Sequence, residues 1–380
     1  MARRAQLARL VEVGVRYRYV VLTVAAALIW LDTANAVGFD GNDWHFFVAG
    51  ARAVTGSAGL SVYARMPYLQ FGPIALMVGV VFRYAGPHEG WLLVSALDMV
   101  LGLATIRLLE GAFAAGSPSS ARVRLCVLIG GPFFLATWAS PGVSEGHPDD
   151  VLALFAIAVA VRLLMTGRWA LAAVAVGLAA DAKPWALLVL PLAAACQGAR
   201  VRGLVVAVVT AAIPWLPFFA ADGNTRRVGE FHLGVEPTST LHYLGIAVGS
   251  APGWPREVQL AVALLLGAAA VARGRWLLVP LVAFAVRVNL DPAAVDYYAA
   301  GPVLGALIWD LADPRRLAPA RTIATWFALL YVPSDLLSAG ARGSAFHAVV
   351  VALRLAVLVT AAWGVVRAPT QGPGSPPSAR

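Results

Sequence analysis

Runs of about 20 apolar residues recur from one end of this chain to the other, and each is long enough to cross a hydrocarbon core of roughly 30 Å as an α-helix. Of the 380 residues, 60% are hydrophobic and 13% are charged. Soluble domains carry about twice that charged fraction. The sequence therefore predicts an all-α, polytopic membrane protein without a sizeable soluble domain.

The hydropathy pattern predicts about twelve transmembrane helices. They cover residues 17–36, 90–109, 123–140, 150–166, 169–181, 183–198, 203–221, 257–272, 275–289, 294–311, 322–338 and 345–366. Residues 70–85 are also apolar, but if they crossed the membrane they would reverse the side on which every later loop lies. They are therefore predicted to be re-entrant or interfacial. If they do cross, 169–181 or 183–198 does not. The prediction is one transmembrane domain, 1–366, followed by a disordered tail, 367–380, rich in Pro, Gly and Ser.

The net charge of +9 would suggest a nucleic-acid partner in a soluble protein, but here its distribution gives the orientation. With the N-terminus inside, arginines fall in every cytoplasmic connection, whereas most acidic residues lie on the opposite face. We therefore expect a plasma-membrane protein with both termini cytoplasmic, no nucleic-acid partner and an extracytoplasmic active side. The motif Ala34-Asn35-Ala36 resembles a signal-peptide cleavage site, but uncleaved first spans are common in polytopic proteins.

The first outer loop, residues 37–69, contains two carboxylates, Asp40 and Asp43, close to aromatic rings. Carboxylates at the water–lipid boundary suit work on a polar group carried by a lipid, because a wholly lipid-buried carboxylate is too costly to ionise. Residues 44–54 have the pattern of an amphipathic surface helix, with rings at headgroup depth and Arg52 reaching toward phosphates.

Asp43 stands at the start of that helix, where two interpretations apply. It is a candidate catalytic residue, and it is also a suitable N-cap, since its oxygen can accept orphan backbone N–H groups. Asp40 is the second candidate, although Gly41 and Asn42 beside it are typical of a turn.

A second polar group precedes the fourth predicted span and contains Glu145, His147, Asp149 and Asp150. Its carboxylates and imidazole could bind sugar hydroxyls or a divalent cation, although the spacing matches no known ligand motif. Pro148 at the first helical position with two Asp residues in the first turn is also ordinary helix-start chemistry. Capping explains His147 less well. No definite cofactor is predicted.

Lys183 is the only lysine of the chain and lies where two apolar half-segments meet. Pro184 removes a helix hydrogen bond and disfavours helix at the preceding residue, so the helix should break here. An ammonium at that position suits the phosphate of a lipid carrier. The alternatives are snorkelling toward the interface and an ion pair with Asp181.

Two arginines are further candidates for phosphate contacts. Arg226 lies in the long outer loop, residues 222–256, which could cover the site. Arg287 lies near the outer end of the ninth span, where burial would require a partner such as Asp291 or a phosphate.

Several of these residues also carry a family resemblance. The residues concerned are Asp43, Phe46-Phe47, Gly50-Ala51, Gly56, Tyr63, Tyr68 with Gly72-Pro73, Gly146-His147, and the run from Gly177 to Lys183-Pro184. Over about residues 15–195 the chain resembles the GT-C class of membrane glycosyltransferases. In particular, it resembles the polyprenyl-phosphate-mannose-dependent mannosyltransferases of actinobacterial envelopes (glycosyltransferase family 87).

The resemblance implies a GT-C-like fold and a hexosyltransferase that inverts the anomeric carbon. Asp43, or Asp40, would be the general base, and Lys183, Arg287 and Arg226 would contact the donor phosphate. The residues expected to hold acceptor or sugar are His45, Tyr68, Glu145, His147 and Asp150. The partners would be a polyprenyl-phosphate sugar donor, with mannose expected, and a lipid or cell-envelope glycan acceptor.

Two other classes of function remain open at this point. A transporter or lipid flippase would also use broken helices with ionisable residues at their ends, and Asp98 is its best mid-membrane candidate. The two halves of the chain show no inverted repeat, however. A non-catalytic scaffold would leave the outer acidic residues unexplained.

Overall fold

The computed structural model describes residue 6 and residues 12–115, 120–293, 295–338, 340 and 343–367. Within these ranges every regular element is helical, which confirms the predicted all-α class. Of the predicted disordered tail only Arg367 is described, and residues 368–380 lie outside the described ranges.

The elements follow one another as a series of helices joined by short connections. The α-helices are α1 Arg18–Ala36, α2 Trp44–Thr55, α3 Val62–Arg65, α4 Pro73–Phe82, α5 Pro87–Ala114, α6 Ser120–Ala139, α7 Pro148–Met165, α8 Trp169–Ala182, α9 Arg200–Ala212, α10 Leu216–Ala221, α11 Thr240–Tyr243, α12 Pro255–Ala272, α13 Val279–Leu290, α14 Ala300–Ala312, α15 Ala320–Trp326, α16 Val332–Ser338 and α17 Ser344–Val366. Two π-helical segments, Ser140–Glu145 and Phe327–Tyr331, extend α6 and α15. The 3₁₀ segments are Gly59–Ser61, Arg83–Ala85, Pro184–Ala194, Gln197–Ala199, Ile213–Trp215, Gly223–Glu230, Trp276–Leu278 and Asp296–Ala299.

Six helices among the described residues are long and apolar enough to cross a membrane. They are Arg18–Ala36, Pro87–Ala114, Ser120–Glu145, Arg200–Ala221, Pro255–Ala272 and Ser344–Val366. The other predicted spans are helical too, but shorter or more charged. The 14 residues of α8, for example, rise about 21 Å, less than the hydrocarbon thickness of roughly 30 Å.

Residues 70–85 contain only a short helical element, and its re-entrant or interfacial placement stays a prediction. The ten-residue helix α4 rises only about 15 Å and continues as one 3₁₀ turn, Arg83–Ala85. Its start is held against the end of α8, where the Gly72 N–H donates to the Ala182 carbonyl at 3.0 Å. A Cβ at Gly72 would lie 1.4 Å from the Asp181 carbonyl oxygen, so only glycine allows this approach.

The predicted helix break between α8 and the next segment is confirmed. Lys183 is extended, with φ −142° and ψ 117°, as expected for a residue before proline. The following 11 residues are 3₁₀ rather than α, and they contain both Pro184 and Pro191. Because proline donates no backbone hydrogen bond, these two residues weaken the α-helical pattern of that segment.

The first-loop helix is also confirmed, with one correction to its surroundings. Helix α2 spans Trp44–Thr55, and Arg52 is exposed as predicted. The rings of Trp44 and Phe47, however, are 1% exposed and pack inside the protein, so they do not face lipid headgroups. The Trp44 indole N–H donates to the Pro87 carbonyl at 2.9 Å, which anchors α2 to the start of α5.

Candidate functional site

The segment between α6 and α7 determines where His147 points. The π-helical residues Ser140–Glu145 end at Gly146, whose φ of 69° lies in the left-handed region. A side chain there would be strained, and its Cβ would lie 3.0 Å from the Trp44 Cβ. The Asp43 N–H donates to the Glu145 carbonyl at 2.7 Å, which fixes the first loop beside this turn.

This turn brings His147 against two carboxylates. Its Nε2 lies 2.9 Å from Asp43 Oδ2, and its Nδ1 lies 3.1 Å from Asp149 Oδ1. A carboxylate only accepts hydrogen bonds, so both ring nitrogens must donate for both contacts to form. The geometry therefore favours the charged imidazolium.

The ionisation of both partners follows from this contact. Burial opposes charge on the ring, but the charge of Asp149 and the hydrogen bonds that the ring donates to Asp149 and Asp43 outweigh it and raise the pKa of His147 to about 9. The hydrogen bond from His147 lowers the pKa of Asp43, against a smaller opposing effect of burial. Asp43 is thus ionised, and its side chain remains 37% exposed.

Asp149 links the histidine to the only lysine. Asp149 is fully buried, and its Oδ2 accepts a short hydrogen bond from Lys183 Nζ. The same ammonium lies 3.2 Å from Asp150 Oδ2. A buried ammonium of this kind persists only when opposite charges compensate its desolvation, and here two carboxylates do so.

Arg287, on α13, forms the next ion pair, with Asp150. Its Nη1 lies 3.3 Å from Asp150 Oδ1, and the Trp185 indole N–H donates to the same oxygen at 2.8 Å. The guanidinium carbon lies 3.9 Å from the centre of the Tyr298 ring and 4.4 Å from that of Trp185. These aromatic faces stabilise a cation that is almost excluded from water.

Together these side chains form one network of alternating charge, which we call the Asp43 network. Its members in order are Asp43, His147, Asp149, Lys183, Asp150 and Arg287. Three anions alternate with three cations when His147 is protonated. Only the Asp43 end is substantially exposed to solvent.

Three alternatives left open by the sequence are decided by these contacts. Asp43 occupies the N-cap position of α2, but its side chain makes no capping hydrogen bond, so the capping interpretation is wrong. Lys183 pairs with Asp149 and Asp150, whereas Asp181 accepts the Ile74 N–H at 3.0 Å instead. The ion pair of Arg287 is with Asp150, not with Asp291.

Three other predicted residues lie beside the network without joining it. Glu145 accepts a hydrogen bond from Asn42 at 3.0 Å, next to Asp43. His45 Nδ1 lies 2.9 Å from the Asn42 carbonyl oxygen, and its ring lies tilted against that of Phe46, with the ring centres 4.0 Å apart. Phe46 in turn contacts the ring of Tyr68, at a centroid distance of 5.8 Å. Glu145 and His45 are thus linked to Asn42, the residue before Asp43, whereas Tyr68 is linked to this region only through Phe46.

The remaining two candidates are not brought into the network. Asp40 is exposed and makes no side-chain contact with the network among the described residues. Arg226 is exposed on the 3₁₀ segment Gly223–Glu230, and the hydrogen bonds of the described chain tie this segment to Gln70, not to Lys183 or Arg287.

The sequence indicated Asp149 only as one member of the polar group with Glu145, His147 and Asp150, and it gave no role to Trp185 or Tyr297. The sequence shows the doublet Asp149-Asp150, but the turn at Gly146 decides which of the two carboxylates accepts hydrogen bonds from both His147 and Lys183. Tyr297 stacks on the His147 ring at 4.8 Å from a later part of the chain. Only the adjacency of Trp185 to Lys183 was a usable signal for that side chain.

His147 and the two acidic side chains beside it also lie close enough together to share a divalent cation. Ligand atoms of His147, Asp149 and Asp150 lie within 4.8 Å of one another. The Lys183 ammonium already lies against both carboxylates, so a metal ion would meet a like charge there. The arrangement suits an internal ion pair better than a metal ion.

Asp98, the candidate for a transport site, makes no hydrogen bond or ion pair with the Asp43 network among the described residues. Asp98 is 2% exposed on α5 and packs against Gly142. A Cβ at Gly142 would lie 2.9 Å from the Asp98 Cβ. Within the described chain no cation contacts its carboxylate, and its Oδ2 has no hydrogen-bond partner.

No protein-family model matches this chain, and no curated protein matches it.

Proposed function

We propose that the protein is a membrane glycosyltransferase that moves a sugar from a polyprenyl-phosphate donor to a lipid or glycan acceptor. The observation that carries this proposal is the ionised, partly exposed Asp43 at the end of a buried network of fixed charges. Asp43 Oδ2 is engaged by His147, and among the hydrogen bonds of the described residues none uses Oδ1. One carboxylate oxygen is therefore available to an incoming hydroxyl group.

The reaction consistent with this arrangement is a single displacement. Asp43 Oδ1 takes the proton of the acceptor hydroxyl as its oxygen attacks the anomeric carbon of the sugar. The new glycosidic bond forms while the bond from that carbon to the phosphate oxygen breaks, with inversion, and polyprenyl phosphate leaves with the bonding electrons. A positioned general base contributes about 10²–10⁴-fold, so orientation and charge stabilisation supply the rest.

The cations of the network have an electrostatic role in this proposal. Lys183 and Arg287 already contact carboxylates and are 7% and 6% exposed, so they do not act as free phosphate ligands. Their field, with that of His147, acts on the leaving phosphate from a preorganised, water-poor environment. This differs from the direct phosphate contacts expected from the sequence.

The same proposal covers the arrangement of the chain in the membrane, the sugar and the acceptor. We infer a GT-C-like arrangement of about twelve spans in the plasma membrane, both termini cytoplasmic and Asp43 extracytoplasmic. Mannose is the proposed sugar and a cell-envelope component the proposed acceptor, and both rest on the sequence resemblance.

The test is transfer by purified protein reconstituted in lipid vesicles. The donors are radiolabelled polyprenyl-phosphate sugars, with the mannose form among them, and a membrane extract supplies acceptors. Asp43→Asn keeps the size of the side chain but removes its basicity, so transfer is expected to fall by about 10²-fold or more. Asp40→Asn, an exposed carboxylate of the same loop, is the matched control and should transfer normally.

Two results would contradict the proposal. Near-normal transfer by Asp43→Asn would remove Asp43 as the base. No transfer from any donor by the wild-type protein, together with a solute or lipid flux that depends on Asp98, would favour a transporter instead.

A further inference from the structure

A cavity lined by two arginines lies between α5 and α7, at the opposite end of α7 from the Asp43 network. Its volume is about 340 Å³, and we call it the arginine cavity. It is lined by Ala104, Arg107, Leu108, Gly111, Phe155 and Arg162. Arg162 lies 12 residues after Asp150 on α7, which corresponds to about 18 Å along the helix axis. The cavity is therefore separate from the network.

The helix periodicity explains why these residues share one space. On α5, Ala104, Leu108 and Gly111 are spaced by four and three residues and so lie on one face. On α7, Phe155 and Arg162 are seven residues apart, two helical turns, and also share a face. Arg162 reaches across to α5, where its Nη1 donates to the Gly111 carbonyl.

Glu110, between Arg107 and Gly111 on α5, is paired with a different arginine, Arg18. Glu110 accepts from Arg18 Nε at 2.8 Å and Nη2 at 2.5 Å, and from the Tyr19 hydroxyl at 2.7 Å. Arg107 lies over the Tyr19 ring, with 5.5 Å from its guanidinium carbon to the ring centre. In the described parts of the chain, neither Arg107 nor Arg162 forms an ion pair.

The cavity thus has a cationic part and an apolar part. Arg107 and Arg162 belong to the last two turns of their helices, whereas Ala104 and Phe155 lie one to two turns deeper. Unpaired guanidinium groups match the planar, bidentate geometry of phosphate oxygens. Basic cavities between membrane helices with apolar walls are suited to anionic lipid headgroups.

We propose that the arginine cavity binds the phosphate of an anionic phospholipid, with an acyl chain along Ala104, Leu108 and Phe155. This inference does not depend on the proposed transferase activity, since it uses neither Asp43 nor any other member of the network. Free phosphate and the phospholipid headgroup offer the same group to the two arginines. Only the lipid has an acyl chain that can also contact the apolar wall.

The test measures lipid binding by native mass spectrometry and thermal stability of the detergent-purified protein. The probes are diacyl phosphatidylglycerol, phosphatidylcholine with the same acyl chains, and inorganic phosphate. Phosphatidylglycerol should bind more tightly than phosphatidylcholine and raise the melting temperature, whereas inorganic phosphate should not. The double variant R107Q/R162Q should weaken phosphatidylglycerol binding by roughly 5-fold for each arginine removed.

Two further variants separate this site from general surface charge and from misfolding. The matched control R200Q/R202Q removes two exposed arginines and should bind phosphatidylglycerol as the wild type does. Ala104→Phe fills the apolar part while keeping both arginines, and it should also reduce lipid binding. Equal binding of both lipids, full binding by R107Q/R162Q, or equal protection by inorganic phosphate would overturn the proposal.

Discussion

Two of the ion clusters among the described residues differ in the sequence separation of their members. The Asp43 network joins residues separated by 104 positions at its His147 contact and 137 at its Arg287 contact. The second cluster, the Asp310 cluster, consists of Asp310, Asp313, Arg321 and Thr322. Its contact between Asp310 and Thr322 spans only 12 positions.

The Asp310 cluster is saturated by its own neighbours. Asp310 Oδ2 accepts from the Thr322 N–H at 2.8 Å and from the Thr322 hydroxyl at 2.9 Å, while its Oδ1 lies 3.2 Å from Arg321. Arg321 also reaches Asp313 at 2.8 Å. Both oxygens of Asp310 are engaged, and its side chain is 0% exposed, so the cluster fastens the turn between α14 and α15 and offers nothing to a substrate.

The comparison shows which buried charges have a structural explanation. Local, fully satisfied groups stabilise a turn. A network assembled from distant helices, with one exposed carboxylate oxygen at its end, requires the whole fold to form and is open to a ligand. Substitutions in the two clusters should therefore differ in the size and the kind of their effects.

The largest effect is expected when the Asp43 network loses a cation. Lys183→Met leaves Asp149 and Asp150 buried without their ammonium, and breaking a buried pair in this way costs about 3–5 kcal/mol. We expect a large fall in the free energy of unfolding, measured by denaturation in detergent, and loss of transfer. Arg202→Met, an exposed cation, is the control and should change stability little. A Lys183→Met protein as stable as the wild type would show that the network carries no such coupling.

The pH dependence of stability should locate the charged histidine. The pKa of His147 is raised from an ordinary 6.5 to about 9, so its contribution is fully present below pH 6.5 and is lost as the pH rises through about 9. The free energy of unfolding of the wild type is therefore expected to fall by about 3 kcal/mol between pH 6.5 and 9. His147→Gln should lack this fall. If both proteins show the same slope, the titrating group is not His147.

A smaller and purely structural effect is expected at the Asp310 cluster. Asp310→Asn weakens hydrogen bonds to a charged group, for which about 1.5–3 kcal/mol is typical. Transfer per folded molecule should stay unchanged, because the cluster has no contact with the Asp43 network among the described residues. Loss of transfer without loss of stability would mean that the distinction between the clusters is incorrect.

The smallest effects are expected at the two candidates that the fold leaves outside the network. Asp40→Asn and Arg226→Gln change exposed side chains, so stability should remain within about 0.5 kcal/mol of the wild type. Transfer should also be close to normal, as measured in the vesicle assay. A strong loss of transfer in Arg226→Gln would indicate that the loop approaches the donor phosphate.

The sequence by itself determined the all-helical class, the helix break at Lys183 and helices close to all twelve predicted positions. Apolar runs and proline act locally, so these features can be derived without the fold. The sequence also indicated Asp43, His147 and Lys183 as separate candidates. Only the tertiary structure decided that they form one network with Asp149 at its centre. It also decided that Arg287 joins through Asp150. Those pairings depend on the left-handed turn at Gly146 and on the packing of distant helices, and no local pattern encodes which of several nearby carboxylates a cation will meet.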